Sequence, residues 1–355
     1  MFEKVLAKRM LRLEDYENIG IYGTGLAGES VFKSLSKMGI EVSFFLDGDE
    51  TKIGSIFLGK KIIDISSVKE EDFILIAANP EYKIHERLNY KGIANWKYID
   101  PEFLYLWSEG FDSDKIKTIL KENKDKIWQV YELLGDEKSK KVLESVLQHR
   151  LSHNLLLIND IYDGNQYFGN DIIGLVNGNI VDCGAYTGDT LKRFVEQAGG
   201  GYHYYAFEAE KENCNSIVKY CRENGIEDVD VFNLLIYDRK EMLSFSRDEN
   251  NEKVGGRIIE QPNSSVILQA DSIDNVLKKI KIDMITMDIE GAELHALMGA
   301  RKCISTYTPK LAVSAYHEIS HLWEIPLLIK ELNPAYQIYY RHHRWNMHDT
   351  VCYAI

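Results

Sequence analysis

Short apolar runs alternate with helical patterns over the first hundred residues of the chain. Segments 18–22, 42–46 and 72–78 predict β-strands, because each is a short, mostly apolar run that ends at turn residues. A helix is predicted to open at Gly23–Gly28 and to continue to about Met38. This order of elements predicts a small parallel sheet of the doubly wound, Rossmann-like kind.

Long charged helices are predicted from about residue 113 to residue 153. Aliphatic residues recur there at helical spacing, at Ile116, Ile119, Leu120, Ile127, Val130 and Leu133. The segment has no glycine-rich or proline-rich linker, so it predicts a packed helical connector. We therefore divide the chain into a Rossmann-like domain (1–108), a helical connector (109–173) and a further α/β domain (174–355).

The alternation of strands and helices resumes after Gly178. The predicted strands are 180–183, 203–207, 229–236, 284–287, 311–314, 336–340 and 350–354. Predicted helices start near Thr190, Glu212, Ala292 and Pro326. The last two strands are close enough in sequence to form a hairpin, which predicts a seven-stranded sheet that ends in an antiparallel pair.

Composition and charge exclude several classes of protein. Apolar residues make up 45% of the chain and charged residues 27%, as in globular proteins. The net charge of −13 argues against a nucleic-acid partner, which would need a basic surface. No apolar run is long enough to span a membrane, so we expect no membrane insertion. A homo-oligomer remains open.

The five cysteines, Cys183, Cys214, Cys221, Cys303 and Cys352, are widely spaced. They form no CxxC pair that would indicate a zinc site. Reduced thiols in the cytoplasm fit this pattern best. We therefore expect a cytoplasmic protein.

The strongest motif is a strand that runs into a glycine-containing turn and then a helix. It comprises Asp182, Gly184, Ala185, Tyr186, Gly188, Asp189 and Thr190. Glycine lets backbone approach a ligand closely, and the helix start offers free N–H groups to a carboxylate. The spacing departs from G-x-G-x-x-G and fits a cofactor that carries an amino-acid tail.

Acidic residues follow two further predicted strands. Glu208, with Ala209 after it, ends the next strand, where an acid can accept hydrogen bonds from ribose hydroxyls. A later strand delivers Asp288 and Glu290 to the edge of the sheet where ligands bind. Glu293 follows in the first turn of a helix, where capping the helix is an alternative role.

Taken together, these blocks resemble the FkbM family of methyltransferases. The resemblance runs from residue 167 to 355, through Tyr167-Phe168, the Asp182 motif, Phe207-Glu208, 270–273, 288–293, Gly299-Ala300 and 349–354. It implies the seven-stranded methyltransferase fold and S-adenosylmethionine as methyl donor, with Asp271, Ser272 and Asp288 added to the cofactor site. It also implies O-methylation of hydroxyls on sugars or on glycosylated and polyketide products. We expect a sugar or nucleotide-sugar acceptor, used in the synthesis of surface polysaccharide or a glycosylated product.

Methylation of a sugar hydroxyl requires a base or a metal ion. His317, which follows a predicted strand, is our first choice of base because histidine titrates near neutral pH. Asp288 and Glu290 are further candidates, and His342 and His343 are weaker ones. A divalent metal is open but not predicted.

The N-terminal motif Gly23-x-Gly25-x-x-Gly28, with Asp47 after the next strand, meets the condition for a dinucleotide fingerprint. Taken alone it favours an NAD(P)-linked oxidoreductase. The domain lacks a catalytic half, so we expect a binding or assembly role, with the nucleotide part of an activated sugar as a ligand near Gly23, Gly25 and Gly28. A purely structural role is the alternative for this domain. Arg341, His342 and His317 are predicted to contact the acceptor. A non-catalytic partner protein is a third alternative, and loop 248–261 is expected to shape the acceptor pocket.

Overall fold

A computed structural model describes residues 1–6, 11–109, 113–174, 176–197, 201–246, 257–258 and 266–355. Most of the loop 248–261 lies outside these described residues. The chain divides into two compact units. The first comprises Met1–Trp128, Lys141–Tyr162 and Arg344–His348, and the second comprises Gln129–Lys140, Asp163–His343 and Asp349–Ile355. The predicted connector 109–173 is thus shared between the two units.

A four-stranded parallel sheet lies at the centre of the first unit. The strands of this unit are β1 (Ile19–Tyr22), β2 (Val42–Leu46), β3 (Ile56–Phe57), β4 (Lys60–Lys61), β5 (Phe73–Ile76) and β6 (Trp96–Tyr98). The sheet has the order β2-β1-β5-β6, and β3 pairs with β4 in a separate antiparallel ribbon. Both β1 and β5 are buried along their whole length, as continuous apolar runs in a parallel sheet predict.

Eight helices are described between residues 1 and 174. They are α1 (Phe2–Leu6), α2 (Leu26–Lys37), α3 (Ile84–Tyr90), α4 (Pro101–Ser108), α5 (Ser113–Glu122), α6 (Lys124–Leu133), α7 (Glu137–Ser152) and α8 (Leu156–Asn159). The predicted helix after the glycine-rich turn is α2, and the charged segment forms α5 to α7. Helix α4 begins with Asp100 as its cap, whose side chain accepts a hydrogen bond from the Glu102 N–H.

The second unit contains the predicted seven-stranded sheet and a smaller sheet. Its strands are β7 (Gly178–Cys183), β8 (Tyr202–Glu208), β9 (Val229–Asn233), β10 (Leu235–Ile236), β11 (Glu241–Ser246), β12 (Arg257–Ile258), β13 (Val266–Asp271), β14 (Met284–Met287), β15 (Lys310–Ser314), β16 (Ile338–His342) and β17 (Thr350–Ala354). Its helices are α9 (Asp189–Gln197), α10 (Lys211–Asn224), α11 (Ile273–Val276), α12 (Glu293–Gly299), α13 (Arg301–Tyr307) and α14 (His321–Leu332).

The larger sheet has the order β16-β17-β15-β14-β7-β8-β9. Strands β15, β14, β7, β8 and β9 are mutually parallel, and β17 runs antiparallel to both of its neighbours. The predicted terminal hairpin is therefore confirmed. The carboxyl ends of β7, β8, β14 and β15 lie at one edge of this sheet, where open α/β sheets bind their ligands.

The smaller sheet, in the order β10-β13-β11-β12, was not predicted. The sequence predicted one strand over 229–236, but the strand is interrupted at Leu234. The Leu234 N–H donates a hydrogen bond to the Glu208 carbonyl. Residues before the break pair with β8, and residues after it pair with β13. Asn233 is a single turn-favouring residue directly before the break, so tertiary pairing is what reveals the break.

Proline 326 lies inside α14, although the sequence predicted a helix that starts near it. Proline has no N–H to donate to the carbonyl four residues earlier, which belongs to Leu322. The Tyr340 hydroxyl donates to that carbonyl at 2.8 Å. The helix therefore tolerates Pro326 because a tyrosine of β16 satisfies the carbonyl.

In the described part of the chain, no helix combines the length and apolar character that crossing a bilayer requires.

Packing in the first unit can be tested at Gly28, the third glycine of the N-terminal turn. A Cβ at Gly28 would lie 1.9 Å from the Gly23 carbonyl oxygen, whereas a Cβ at Gly25 would meet nothing within 4 Å. We expect Gly28→Ala to lower the free energy of unfolding by about 2–3 kcal/mol. Gly25→Ala is the matched control and should cost less than about 1 kcal/mol. Urea unfolding followed by tryptophan fluorescence measures both, and equal losses would contradict the packing argument.

Candidate functional site

The turn after β7 brings backbone against the end of β14. Gly184 has a φ of +85°, and a Cβ there would lie 2.0 Å from the Asp288 carbonyl oxygen. Gly188 has a φ of +82°, and α9 begins at the next residue. Since the first N–H groups of a helix have no partner within it, the start of α9 offers donors beside this glycine turn. Only glycine fits at residue 184 without displacing Asp288.

Asp182 lies inside the sheet, one residue before the end of β7. Its Oδ2 accepts a hydrogen bond from the Tyr204 hydroxyl and its Oδ1 accepts one from the Thr286 hydroxyl, each at 2.7 Å. Burial raises the pKa of Asp182 to about 6. Both oxygens thus receive donors from the neighbouring strands β8 and β14. The structure gives Asp182 a positioning role, and its direct contact with a cofactor stays a prediction.

Glu208, at the end of β8, fixes the glycine turn. Its Oε2 accepts a hydrogen bond from the Tyr186 N–H at 2.8 Å, and its Oε1 accepts one from the Glu210 N–H at 2.8 Å. Burial raises the pKa of Glu208. The Ala209 carbonyl accepts a hydrogen bond from the Asn233 side chain at 2.7 Å. The predicted residues 184–188 and Glu208 therefore come together, and the exposed ring of Tyr186 lies beside them.

Asp271 ends β13 of the smaller sheet, and Ser272 follows it directly. Ile236 of β10 pairs with Asp271 at the end of β13. The Asp271 carboxylate accepts hydrogen bonds from the Ser272 N–H at 2.8 Å and the Asn275 side chain at 2.9 Å. These bonds hold the start of α11. A direct role for Asp271 and Ser272 in binding stays a prediction.

Four titratable side chains meet where β14 and β15 end, and we call them the His317 cluster. They are Asp288, Glu290, Glu293 and His317. The His317 Nε2 atom lies 3.3 Å from Asp288 Oδ1 and 3.4 Å from Glu290 Oε2, and its Nδ1 atom lies 3.0 Å from Glu293 Oε1. The structure thus joins all three predicted catalytic residues and adds Glu293.

Glu293 is fully buried at the start of α12. Its Oε1 atom accepts hydrogen bonds from the Ile289 N–H at 3.0 Å and the Gly291 N–H at 3.4 Å. The other oxygen, Oε2, lies 3.4 Å from His321 Nδ1. Burial opposes ionisation, but His317 and His321 hold the pKa of Glu293 below its ordinary value. The carboxylate therefore holds the turn after β14 and the histidines after β15 together.

The electrostatics of the cluster change the choice of base. Burial opposes protonation of His317, but Glu293, Asp288 and Glu290 outweigh it and raise the pKa of His317 to about 10. Burial raises the pKa of Asp288 to about 7, with His317 opposing the rise. At neutral pH His317 is therefore an imidazolium that cannot accept a proton. Asp288 replaces His317 as the first choice of base.

Two tyrosines complete the surroundings of Asp288. The Tyr316 hydroxyl donates to Oδ1 at 2.9 Å, and the Tyr167 hydroxyl lies 3.4 Å from Oδ2. Tyr316 precedes His317 directly, so its position was accessible to sequence reasoning. Tyr167 lies far from Asp288 in sequence, and no local pattern indicated that it would reach this carboxylate. Neither tyrosine was predicted as a site residue.

In the first unit, residues in and after the glycine turn bind Asp47, the acid that follows the next strand. Gly23 has a φ of +118°. Asp47 Oδ2 accepts hydrogen bonds from the Thr24 N–H at 3.1 Å and the Lys52 ammonium at 3.0 Å. Burial opposes the fall, but these donors and the Asp49 N–H lower the pKa of Asp47 to about 2. The acid that a ribose would need is thus already engaged.

Comparison with known proteins relates part of the second unit to a protein family. Residues 182–346 match the family model described as the methyltransferase FkbM domain. We refer to the matched residues 182–346 as the FkbM domain because of their similarity to this family. Residues 15–99 match a second model, described as C2185-like, N-terminal. No curated protein matches the chain at a significant level.

The chain is also similar to solved structures. A crystal structure of methyltransferase FkbM from Methylobacillus flagellatus KT is similar over 99% of this chain and 92% of that chain, with 21% identity and a TM-score of 0.74. Aeropyrum pernix fibrillarin with natively bound S-adenosyl-L-methionine is similar over 53% of this chain and 70% of that chain, with 9% identity and a TM-score of 0.33. The N-terminal domain of human METTL16 in complex with SAH is similar over 50% of this chain and 60% of that chain, with 10% identity and a TM-score of 0.29.

Arg341 of the FkbM domain is a structural residue, contrary to the prediction that it binds substrate. Its side chain is only 1% exposed, and its guanidinium lies 2.7 Å from both Asp136 and Asp171. It also donates to the Ser139 hydroxyl and to the Tyr340 carbonyl. His342 is fully buried, with Nδ1 2.8 Å from the Thr350 hydroxyl. Arg341 and His342 are therefore both buried and bonded to other residues of the protein.

The Arg341 ion pairs predict how the stability of the FkbM domain depends on pH. Arg341 is the first cause that lowers the pKa of Asp171, to about 2. Because the unfolded value is about 3.9, the carboxylate stabilises the fold above about pH 4, and this contribution is lost as the pH falls towards 2. We expect Asp171→Asn to lower the free energy of unfolding at pH 7 by about 1 kcal/mol, since Asp171 is half-exposed and Asp136 remains.

Urea unfolding at pH 7, 5 and 3 measures this difference. Glu137→Gln is the matched control, because Glu137 forms an ion pair with Lys140 at a largely exposed site. It should change the free energy of unfolding by less than about 0.5 kcal/mol. A difference for Asp171→Asn that stays constant from pH 7 to pH 3 would contradict the assignment.

Proposed function

We propose that the chain is an S-adenosylmethionine-dependent O-methyltransferase whose acceptor is a hydroxyl of a sugar, presented as a nucleotide-activated sugar. The observation that carries the proposal is the contact between Gly184 and the Asp288 carbonyl. It puts a surface where backbone can approach a ligand beside the acid–base groups of the His317 cluster. The FkbM domain match over residues 182–346 supports methyl transfer as the chemistry.

The glycine turn has the properties that the methyl donor requires. Gly184, Ala185, Tyr186 and Gly188 would hold the donor through backbone, with the turn fixed by the Glu208–Tyr186 hydrogen bond. The N–H groups of Asp189 and Thr190, at the start of α9, would receive its carboxylate. The bound donor would supply an electrophilic methyl group on a sulfonium.

The His317 cluster would activate the acceptor. Asp288 is the proposed proton acceptor for the hydroxyl, because its pKa of about 7 leaves it able to take a proton near neutral pH. Tyr316 and Tyr167 orient its carboxylate. Glu290 and the His317 imidazolium line the same edge and would position the hydroxyl.

A sugar acceptor rests on the family, and a role in polysaccharide or glycosylated product synthesis follows from it as part of the proposal. The first unit is proposed to be Rossmann-like and to bind the nucleotide part through the backbone near Gly23, Gly25 and Gly28, with no contact from Asp47. An NAD(P)-linked oxidoreductase has less support, because Asp47 is already bound to Thr24 and Lys52.

Donor binding is the first test of the proposal. We expect S-adenosylmethionine to bind the full chain in calorimetry, and Glu208→Gln to weaken binding about tenfold, because the turn loses a charged hydrogen-bond acceptor. Glu212→Gln is the control, since this nearby glutamate is exposed on α10. NAD serves as the control ligand. Tight NAD binding without S-adenosylmethionine binding would overturn the proposal.

Turnover separates the proton acceptor from the donor site. A panel of nucleotide sugars is incubated with the protein and the donor, and methyl incorporation is measured by mass spectrometry. We expect Asp288→Asn to lower turnover about 10²- to 10⁴-fold while changing the donor Kd less than about threefold. Glu318→Gln, at an exposed neighbour of His317, should retain turnover. Full activity in Asp288→Asn would refute its assigned role.

A further inference from the structure

The His317 cluster concentrates negative charge. Asp288, Glu290 and Glu293 contribute three carboxylates around one imidazole, so the cluster is negatively charged when its carboxylates are ionised, even with His317 protonated. Glu293 is fully buried, and the Asp288 and Glu290 side chains are each 31% exposed. Like charges in such a site repel each other strongly unless a cation compensates them.

The imidazole of His317 lies at the centre of this charge with only 9% of its side chain exposed. Carboxylate oxygens lie 3.0–3.4 Å from its ring nitrogens. Even so, neither nitrogen makes a hydrogen bond of acceptable geometry to any described residue. A buried polar ring without satisfied hydrogen bonds indicates a missing partner.

The separations fit a shared cation. Nε2 lies 3.3 Å from Asp288 Oδ1 and 3.4 Å from Glu290 Oε2, longer than the roughly 2.7–2.9 Å of a charge-assisted hydrogen bond. Ligand atoms about 2.1 Å from one ion, at octahedral or tetrahedral angles, lie about 3.0–3.4 Å apart. Ligand atoms of Asp288, Glu293 and His317 all lie within 4.8 Å of one another.

The other ring nitrogen supports the same arrangement. Nδ1 lies 3.0 Å from the buried Glu293 Oε1, which is held by the Ile289 and Gly291 N–H groups. A carboxylate behind the second nitrogen of a metal-bound histidine is the usual way to orient that ligand. Glu293 thus directs Nε2 towards Asp288 and Glu290.

We propose that Asp288, Glu290 and His317 Nε2 bind a divalent cation of the Mn²⁺ or Mg²⁺ class, with Glu293 as the orienting carboxylate. Two carboxylates and one imidazole suit Mn²⁺ in particular. The cation takes the place of the His317 proton. Its role rests on the proposed function: it would bind the acceptor oxygen and lower the pKa of the hydroxyl, whose proton would pass to the Asp288 oxygen that does not bind the cation.

The test is a titration of the full chain with Mn²⁺, without the methyl donor, followed by electron paramagnetic resonance of free Mn²⁺. We expect one bound ion per chain. Glu290→Gln and His317→Gln should weaken binding at least tenfold, and Glu293→Gln about tenfold. Glu318→Gln is the matched control and should leave the Kd unchanged. Circular dichroism confirms that each variant is folded, and Glu290→Gln, at a partly exposed site, remains informative if Glu293→Gln does not fold.

The outcomes distinguish this proposal from the proposed function. Absence of Mn²⁺ binding, or binding that Glu290→Gln and His317→Gln leave unchanged, overturns the cation site. S-adenosylmethionine binding is measured separately in chelator-treated protein, so its failure counts only against the methyltransferase proposal. With both intact, treatment with a chelator should lower turnover at least tenfold, and added Mn²⁺ should restore it.

Discussion

Burial of the Glu293 carboxylate is the constraint on which the candidate site depends. A carboxylate without solvent needs compensating contacts. Two N–H groups of the turn after β14 donate to Glu293 Oε1, and two histidines after β15 lie 3.0 and 3.4 Å from the carboxylate oxygens. Meeting that need sets the path of residues 288–293 and the position of His317. The contacts of Glu293, at the start of α12, thus assemble the site. From the sequence alone, this residue could have had either a capping or a functional role.

The second constraint is backbone contact between Gly184 and Asp288. The two residues follow strands that are neighbours in the sheet but lie more than a hundred residues apart in the chain. Their backbones are in van der Waals contact. Any ligand that rests on the glycine turn is therefore next to the carboxylate. This contact places the two halves of the proposed reaction side by side.

Sequence reasoning succeeded where local periodicity decides the structure. Strands β2, β14 and β17 have the predicted bounds, because buried runs that end at turn residues leave little freedom. It failed where partners are distant. The break at Leu234, the reach of Tyr167 to Asp288 and the burial of Arg341 all depend on residues far along the chain. The order of proton affinities of His317 and Asp288 follows from three converging carboxylates, which no spacing reveals.

The position of β17 between β15 and β16 has a consequence for biosynthesis. Residues 350–354 form an interior strand, so β16 has no neighbour in the sheet until they are in place. On the ribosome, the second unit must wait with an incomplete sheet until residue 354 has emerged. The first unit, whose sheet uses only residues 19–98, can complete its strand pairing far earlier in translation.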